Sequence, residues 1–167
     1  MSTELVQPGM EAPGFTLPRD GGAPVSLAGL AGRRVVLFFY PRASTPGCTT
    51  EACDFTARAA DFEAAGAVLL GISKDSVKRQ ENFAARHGLT MALLSDAESD
   101  TCERYGVWTE KKIFGRSYMG IVRSTVLIGP DGVVEKVWSN VRVKGHAAEV
   151  LAAVQAAGRA AVDNAPR

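Results

Sequence analysis

The chain has 167 residues, of which 46% are hydrophobic and 22% are charged, and its formal net charge is +1. These values fit one globular domain over residues 1–167, because a chain of this size buries roughly 70% of its unfolded surface without help from disulfides or metals. The small net charge gives no field that would attract nucleic acid or an anionic membrane. No apolar run approaches the ~18 residues that a membrane span needs.

The three cysteines and two histidines match no zinc-ligand spacing, so we expect no metal and no cofactor. The N-terminal segment lacks the basic and apolar regions of a secretory signal. We therefore expect a cytoplasmic protein, whose thiols are reactive and not paired in structural disulfides.

In chain order, the pattern first predicts a β-hairpin, with residues 15–17 and 25–27 on either side of Asp20-Gly21-Gly22. Residues 35–40 are a short apolar run, rich in β-branched and aromatic side chains, which predicts a buried strand that ends at Pro41. A helix is predicted from Pro46 to residue 65, with Thr45 as its N-cap and Gly66 at its end. Residues 67–73 predict a second buried strand.

The second half of the chain begins with a helix that Ser76 is predicted to cap and Gly88 to end. A strand at 91–94, a short helix at 98–105 and an irregular segment at 107–120 follow. Residues 124–128 and 133–138 are predicted to pair as antiparallel strands around a turn at 129–132. The last helix is predicted at 145–157, and residues 159–167 are expected to be a frayed tail.

This order of elements predicts an α/β protein with a thioredoxin-like fold. Its parts are an N-terminal β-hairpin extension and a central mixed sheet flanked by helices, with parallel strands first and an antiparallel hairpin last. No internal repeat, low-complexity tract or linker divides the chain.

The position of Cys48 indicates redox chemistry. Cys48 is predicted to lie in the first turn of the helix that follows the first core strand, where free N–H groups and the helix dipole favour a thiolate. Ligands of α/β proteins usually bind at this end of the strands. Cys53 follows five residues later as a second thiol. Cys102, by contrast, lies on a short predicted helix and is expected to be a core residue.

Residues 41–48, PRASTPGC, match the Pro-x-x-x-Thr-x-x-Cys signature of the peroxiredoxins. The chain resembles most closely their bacterioferritin comigratory protein, or peroxiredoxin Q, subfamily, in which a second cysteine follows the first by five residues. Residues 115–132 and 141–151 also resemble that subfamily, so the resemblance covers about the whole chain. Ser44 stands where relatives often carry methionine, but this position is outside the signature.

The resemblance implies that Cys48 is the peroxidatic cysteine and Cys53 the resolving one. It also implies that Thr45 and Arg123 complete the site and that Pro41 shields it. The implied activity is the reduction of hydrogen peroxide and organic hydroperoxides, through a sulfenic acid on Cys48 and then a Cys48–Cys53 disulfide. Thioredoxin or glutaredoxin would reduce that disulfide. Relatives with this cysteine pair are often monomeric, so we expect a monomer.

Peroxide cleavage also needs groups that hold the peroxide oxygens and the developing charge. The backbone N–H groups of Gly47 and Cys48 and the hydroxyl of Thr45 are candidates for the oxygens. Arg123 is a candidate for stabilising both the thiolate and the leaving oxygen.

The spacing of Cys48 and Cys53 has a mechanical consequence. Residues five apart in an intact α-helix have Cα atoms roughly 8 to 9 Å apart, beyond the ~7 Å that a disulfide can bridge. We therefore expect the helix that begins at Pro46 to unwind locally in each turnover.

Two other functions use the same residues. A thiol–disulfide oxidoreductase of the thioredoxin type is one, although Cys48 and Cys53 are separated by four residues and not by the two of Cys-x-x-Cys. A redox sensor or holdase that signals through the same disulfide is the other. Rapid reaction with peroxide and catalytic turnover distinguish the peroxidase from both.

Overall fold

A computed structural model describes residues 4–163, with side chains to residue 160. Its strands are β1 (Thr16–Pro18), β2 (Pro24–Ser26), β3 (Arg34–Phe39), β4 (Ala67–Ser73), β5 (Ala92–Ser95), β6 (Trp108–Ile113), β7 (Arg116–Ile121), β8 (Ser124–Ile128) and β9 (Val134–Trp138). Its α-helices are α1 (Pro46–Ala57), α2 (Ala59–Ala64), α3 (Val77–His87), α4 (Thr101–Arg104) and α5 (His146–Asp163). Within the described range, no helix combines the length and the apolar character that crossing a membrane requires.

Five strands form the central sheet, in the order β5-β4-β3-β8-β9. The pairs β3–β4 and β4–β5 are parallel, whereas β3–β8 and β8–β9 are antiparallel, so the sheet is mixed as predicted. Strands β3, β4 and β8 are almost wholly buried, because the sheet is covered on both faces. Strands β1 and β2 pair as the predicted N-terminal hairpin.

Alternation along β3 divides the core into two layers, since successive strand side chains point to opposite faces. Val36 and Phe38 face a layer formed with α1, α2, α3 and α5, and Cys48 belongs to this layer. Leu37 and Phe39 face the opposite layer, which contains Cys102 and residues of the N-terminal segment. The two buried cysteines therefore lie on opposite faces of the sheet.

Several boundaries match the sequence-based expectations. Strand β4 has the predicted bounds, and α3 begins after Ser76, whose hydroxyl accepts a hydrogen bond from the Arg79 amide at 3.2 Å. Gly88 ends α3 in a left-handed conformation with φ 61°. The turn at 129–132 is closed by a hydrogen bond from the Gly132 amide to the Gly129 carbonyl at 2.9 Å.

The single helix predicted from Pro46 to residue 65 is wrong, because the structure divides it at Arg58. Arg58 has φ −108° and ψ 9°, and its amide bonds the carbonyls of Phe55 and Thr56 instead of continuing the α-helical pattern. Alanines flank this residue. No glycine or proline marks the break, so the sequence pattern carries no signal for it.

The segment predicted to be irregular, residues 107–120, is instead largely the antiparallel hairpin β6–β7. Phe114 and Gly115 form its two-residue turn with φ 51° and 77°, the positive values that a type I′ turn requires. Phenylalanine is uncommon in this conformation, and most of the hairpin is exposed. The sequence therefore lacks the asparagine, aspartate or glycine usual at the first turn position, and it lacks the alternation of apolar and polar side chains.

Two helix lengths also differ from expectation. The short helix predicted at 98–105 is confined to α4, and α5 continues to Asp163 although a frayed tail was predicted from residue 159. The residues around Gly158 are rich in alanine and lack proline. One glycine costs a helix only about 1 kcal/mol, so it does not end α5. The rest of the predicted tail, residues 164–167, lies outside the described residues.

Candidate active site

The loop from Pro41 to Thr45 connects the end of β3 to the start of α1. Asp75, which follows β4, accepts a hydrogen bond from the Ala43 amide at 2.7 Å. Ser44 adopts φ 66°, a left-handed conformation that is unfavourable for a residue other than glycine. The Asp75 carboxylate, which follows the neighbouring strand β4, thus fixes the conformation of the loop.

A buried hydrogen-bond network orients the Asp75 carboxylate. The hydroxyl of Ser73 donates to Asp75 Oδ2 at 2.7 Å and accepts from Gln80 Nε2 at 2.9 Å. Gln80, which is fully buried on α3, also accepts a hydrogen bond from the hydroxyl of Tyr40. Burial raises the pKa of Tyr40 above its ordinary value, so this hydroxyl keeps its proton and remains a donor. Sequence analysis missed this network, because its hydrogen bonds join the ends of β3 and β4 to α3 and so depend on the fold.

Thr45 precedes α1 with extended backbone angles, φ −84° and ψ 155°, and Pro46 is the first helical residue as predicted. The Thr45 hydroxyl does not cap the helix, however. It donates to the Arg42 carbonyl at 2.8 Å, while the Thr45 carbonyl accepts the first helical hydrogen bond, from the Thr49 amide at 2.9 Å. Thr45 is therefore the N-cap residue as predicted, but its hydroxyl makes no capping hydrogen bond and instead closes the loop that precedes the helix.

Cys48 is the third residue of α1, and it is 1% exposed. Its sulfur lies 3.3 Å from Nη2 of Arg123. Because the first turn of a helix leaves its amides without carbonyl partners, the N–H groups of Gly47 and Cys48 are free of the helical hydrogen-bond pattern. The thiol thus lies beside both a guanidinium and the positive end of a helix.

Arg123 reaches the site from the short connection between β7 and β8. A Cβ atom added to Gly47 would lie 3.2 Å from Arg123 Nη2, so the glycine leaves the room that the guanidinium occupies. The second terminal nitrogen, Nη1, donates to Glu51 Oε1 at 2.8 Å. Burial lowers the pKa of Arg123, but the charges of Glu51 and Cys48 outweigh it and raise the pKa above the ordinary value.

Glu51 is a site residue that sequence analysis missed. It is 1% exposed, and its Oε2 atom has no hydrogen-bond partner among the described residues. Burial raises the pKa of Glu51 to about 7, against the opposing effect of Arg123. The signal was present in the sequence, since residues three apart lie on one face of a helix and Glu51 follows Cys48 by three.

The other two cysteines are placed differently. Cys53 is half-buried within the same intact helix as Cys48, and all three thiols are free. Cys102 lies in the opposite core layer and is fully buried. Burial, and next the charge of Asp96, raise the pKa of Cys102. This thiol is therefore kept protonated and away from Cys48.

Pro41 is exposed and lines the outer cleft beside the site, together with Arg42 and residues of the β6–β7 hairpin. The structure thus brings Arg123 and the first turn of α1 to Cys48. Pro41 and Thr45 lie in the loop that leads to that turn. A buried sulfur beside a guanidinium and a helix N-terminus is the geometry of a thiol-based redox site.

Comparison with known proteins identifies the family of this chain. The AhpC/TSA family profile matches residues 8–137. Peroxiredoxin Bcp of Xanthomonas campestris is 46% identical over 144 residues, which span 85% of this chain and 90% of the relative. Peroxiredoxin Bcp of Bacillus subtilis is 44% identical over 146 residues, 87% of this chain and 93% of the relative.

A solved structure of the Xanthomonas campestris bacterioferritin comigratory protein, studied for its alkyl peroxide reduction activity, has a TM-score of 0.84. It is 42% identical in sequence, and the match covers 92% of this chain and 98% of that one. The chain therefore belongs to the AhpC/TSA family and is a peroxiredoxin, an enzyme with peroxidase activity. Its thioredoxin-like fold and its resemblance to the peroxiredoxin Q subfamily, both predicted from sequence, are confirmed.

Proposed function

We propose that this peroxiredoxin reduces hydrogen peroxide and organic hydroperoxides, with Cys48 as the thiol that cleaves the O–O bond. The observation that carries the proposal is the contact of 3.3 Å between Arg123 Nη2 and Cys48 Sγ at the start of α1. The reduction of alkyl peroxides by the Xanthomonas campestris relative supports the inclusion of organic substrates.

In the first step, the Cys48 thiolate attacks the terminal oxygen of the hydroperoxide. A sulfur–oxygen bond forms, the O–O bond breaks, and the leaving oxygen departs with the electron pair as hydroxide or alkoxide. That anion takes a proton from solvent and becomes water or alcohol. Arg123 and the free amides of Gly47 and Cys48 are preorganised donors for the charge that develops on the leaving oxygen.

In the second step, Cys53 acts as the resolving residue. Its thiol attacks the sulfur of the Cys48 sulfenic acid, a disulfide forms, and the hydroxyl group leaves as water. The position of Cys53 on the same helix as Cys48 supports this role, whereas Cys102 lies on the opposite face of the sheet from Cys48. An external dithiol then reduces the disulfide by thiol exchange, and we assign this step to thioredoxin or glutaredoxin.

We place the enzyme in the cytoplasm, because a dithiol reductant of this kind needs a reducing compartment. We further propose a single-domain monomer, since Cys48, Cys53, Arg123 and Glu51 all come from one chain. Light scattering of the reduced and oxidised protein measures the oligomeric state directly.

The test is stopped-flow oxidation of reduced wild-type protein, Cys48→Ser and Cys53→Ser by hydrogen peroxide and by an alkyl hydroperoxide, with mass spectrometry of the products. We expect rapid thiol loss and a Cys48–Cys53 disulfide in the wild type, and neither in Cys48→Ser. Cys53→Ser should consume one equivalent of peroxide and stop as the sulfenic acid. A wild type no faster than a free thiol would contradict the proposal and favour a disulfide exchanger or a sensor.

A further inference from the structure

A cleft lined by arginines lies beside the loop that leads into α1. Its volume is about 710 Å³, and it lies between residues 42–44 of the loop and one side of α3. The loop supplies Arg42. The helix supplies Arg79, Asn82 and Arg86, whose spacing of three and four residues places them on one side of α3. None of the described residues that line this arginine cleft is acidic.

The positive charge of the arginine cleft is largely unneutralised. Among the residues whose side chains are described, neither Arg42 nor Arg86 forms an ion pair. Arg79 has one acidic neighbour, Asp75 at 3.8 Å, and its side chain is still 62% exposed. Glu81, the one acidic residue of α3, instead accepts a hydrogen bond at 3.1 Å from the turn between β1 and β2. The whole chain has a net charge of only +1, so this cluster is a local feature.

Helix stability accounts for only one of the three charges. Arg86 lies in the last turn of α3, where a cation offsets the helix dipole. Arg79 lies in the first turn of the same helix, where a positive charge is unfavourable, and Arg42 lies outside any helix. Like charges around one cleft also repel one another. An anionic partner that enters the cleft would offset both costs.

Cys53 lies on the side of α1 that faces the end of α3. The hydroxyl of Thr56, three residues further along α1, donates to Met91 Sδ at 3.6 Å and accepts from the Thr90 amide at 3.4 Å. Both partners come shortly after the last turn of α3, which carries one of the arginines. Residues three apart share one side of a helix, so Cys53 lies on this side too. Cys53 is half-buried whereas Cys48 is 1% exposed, so Cys53 is the more accessible sulfur.

The surface around the arginine cleft is suited to a protein and not only to a small anion. Arg42 and Arg79 also line the outer cleft on the other side of the loop, so the two clefts form one surface. In the outer cleft, Tyr118 and Met119 are 45% and 50% exposed. Tyrosine, methionine and arginine are the side chains that protein interfaces favour.

We propose that the arginine cleft, with these adjoining apolar side chains, is the docking surface for the dithiol protein that reduces the Cys48–Cys53 disulfide. The complementary reductant carries acidic side chains around its dithiol. The inference rests on the proposed function, because that function requires both the disulfide and an external dithiol. Arg79 and Arg86 lie on α3 and not on the helix that is expected to unwind, so they remain in place in the disulfide form.

The chemical step at this surface is thiol–disulfide exchange. A thiolate of the reductant forms a bond to the sulfur of Cys53, the Cys48–Cys53 bond breaks, and Cys48 leaves with the electron pair. The second thiolate of the reductant then attacks the mixed disulfide and releases Cys53. The reductant is oxidised to a disulfide, and its two thiol protons pass to Cys48 and Cys53.

The test follows the reduction of the peroxide-oxidised protein by stopped-flow fluorescence, with thioredoxin, glutaredoxin or dithiothreitol as the reductant. The double variant Arg79→Gln/Arg86→Gln removes two charges of the cleft, and Arg79→Lys/Arg86→Lys retains them. Arg33→Gln is the matched control, because Arg33 is an exposed arginine that precedes β3, at the opposite end of this strand from the loop.

We expect the glutamine double variant to react about tenfold more slowly than the wild type with the protein reductants at low ionic strength, since loss of complementary charge slows association. The lysine double variant and Arg33→Gln should react at close to the wild-type rate. Added salt should slow the wild type and narrow its difference from the glutamine variant. All four proteins should react equally with dithiothreitol, which is uncharged, and with hydrogen peroxide.

Equal rates of the four proteins with thioredoxin and glutaredoxin, or a wild-type rate that does not depend on salt, would overturn the docking surface and leave the proposed function intact. Equal slowing of the glutamine variant with dithiothreitol would also overturn it, because the effect would then lie at the disulfide itself. So would a wild-type disulfide that neither protein reduces. A wild type that forms no Cys48–Cys53 disulfide with peroxide would instead overturn the proposed function.

Discussion

Glu51 holds the guanidinium of Arg123 at 2.8 Å, in the orientation that directs the other terminal nitrogen of Arg123 at Cys48. The guanidinium is planar and its donors have a fixed angular relationship, so a bond to one nitrogen determines the position of the other. Since Glu51 follows Cys48 by three residues on α1, one helix supplies both the thiol and the group that orients its cation.

Replacement of Arg123 by lysine should not preserve activity. A single ammonium cannot bond Glu51 and face Cys48 with the geometry of the two guanidinium nitrogens. We expect Arg123→Met to slow peroxide oxidation of Cys48 by about 10²- to 10³-fold, the usual effect of losing one transition-state donor. Arg123→Lys should react about tenfold faster than Arg123→Met and still more slowly than the wild type. Second-order rate constants from stopped-flow oxidation measure both. Arg123→Lys with the wild-type rate would show that charge alone is sufficient.

Glu51 should make stability depend on pH in a defined direction. Because burial raises the pKa of Glu51 from 4.5 to about 7 in the folded protein, the folded state binds a proton more tightly than the unfolded state between these values. The contribution of Glu51 to the free energy of unfolding is therefore greatest below pH 4.5 and falls as the pH rises to about 7. Each pKa unit corresponds to about 1.4 kcal/mol, so the whole change is on the order of 3 kcal/mol.

The Glu51→Gln variant isolates this contribution, since glutamine does not titrate. Urea unfolding of both proteins at a series of pH values should show the wild type losing stability relative to the variant across that window. The difference between the two curves is the relevant quantity, because burial lowers the pKa of His146 and His146 changes stability with pH in the opposite sense. Parallel curves would mean that the pKa of Glu51 is the same in both states.

The central sheet was predictable from sequence because its signals are local. Strand β4 has the predicted bounds, and Ser76 and Gly88 carry the standard signals for the two ends of α3. The β6–β7 hairpin was not predictable, since the positive φ of Phe114 arises where no asparagine or aspartate announces a turn. The break at Arg58 likewise occurs where neither glycine nor proline stands in the sequence.

For the site, the cysteine motif located Cys48, and family resemblance added Arg123, which no local pattern identifies. Thr45 is the N-cap residue as predicted, but its hydroxyl accepts no hydrogen bond from the helix and donates to the Arg42 carbonyl. Glu51 was recognisable only by asking which residues share a helix face with Cys48. The network of Ser73, Asp75 and Gln80 needed the fold, since its hydrogen bonds link different elements of the chain.

Loss of the Thr45 hydroxyl should loosen the loop before α1. Thr45→Val removes the 2.8 Å bond to the Arg42 carbonyl, whereas Thr45→Ser retains the donor. We expect Thr45→Val to lose about 1 kcal/mol of stability, the typical net value of one hydrogen bond, and to react several times more slowly with peroxide. Denaturant unfolding and stopped-flow oxidation measure the two effects. Equal behaviour of the two variants would assign the hydroxyl no role.

Cys102 provides the matched control for Cys53. Because Cys102 is buried in the opposite core layer, Cys102→Ala should cost about 1 kcal/mol of stability through lost packing. It should still form the Cys48–Cys53 disulfide at the wild-type rate after peroxide oxidation, as measured by mass spectrometry. Cys53→Ala should instead leave the free energy of unfolding little changed and should form no Cys48–Cys53 disulfide. A slower disulfide in Cys102→Ala would reveal a second resolving thiol.

Formation of the Cys48–Cys53 disulfide should unwind the first half of α1. Both cysteines lie in one intact helix in the reduced protein, and Cα atoms five residues apart in a helix are roughly 8 to 9 Å apart, too far for a disulfide. Unwinding must also separate Glu51 from Arg123, since Glu51 lies between the two cysteines. We expect amide protons of residues 49–53 to lose protection from hydrogen exchange on oxidation, while those of β3 and β4 keep theirs.

Hydrogen exchange with mass spectrometry on reduced, oxidised and Cys53→Ser proteins separates this motion from the oxidation of Cys48 itself. The Cys53→Ser protein, trapped as a sulfenic acid, cannot form the disulfide. Its α1 amides should therefore keep their protection from hydrogen exchange. Equal protection of residues 49–53 in the reduced and disulfide forms would contradict the unwinding. Protection lost already in the sulfenic acid would place the motion before resolution, and the buried Glu51–Arg123 pair would then break in the first step of the cycle and not in the second.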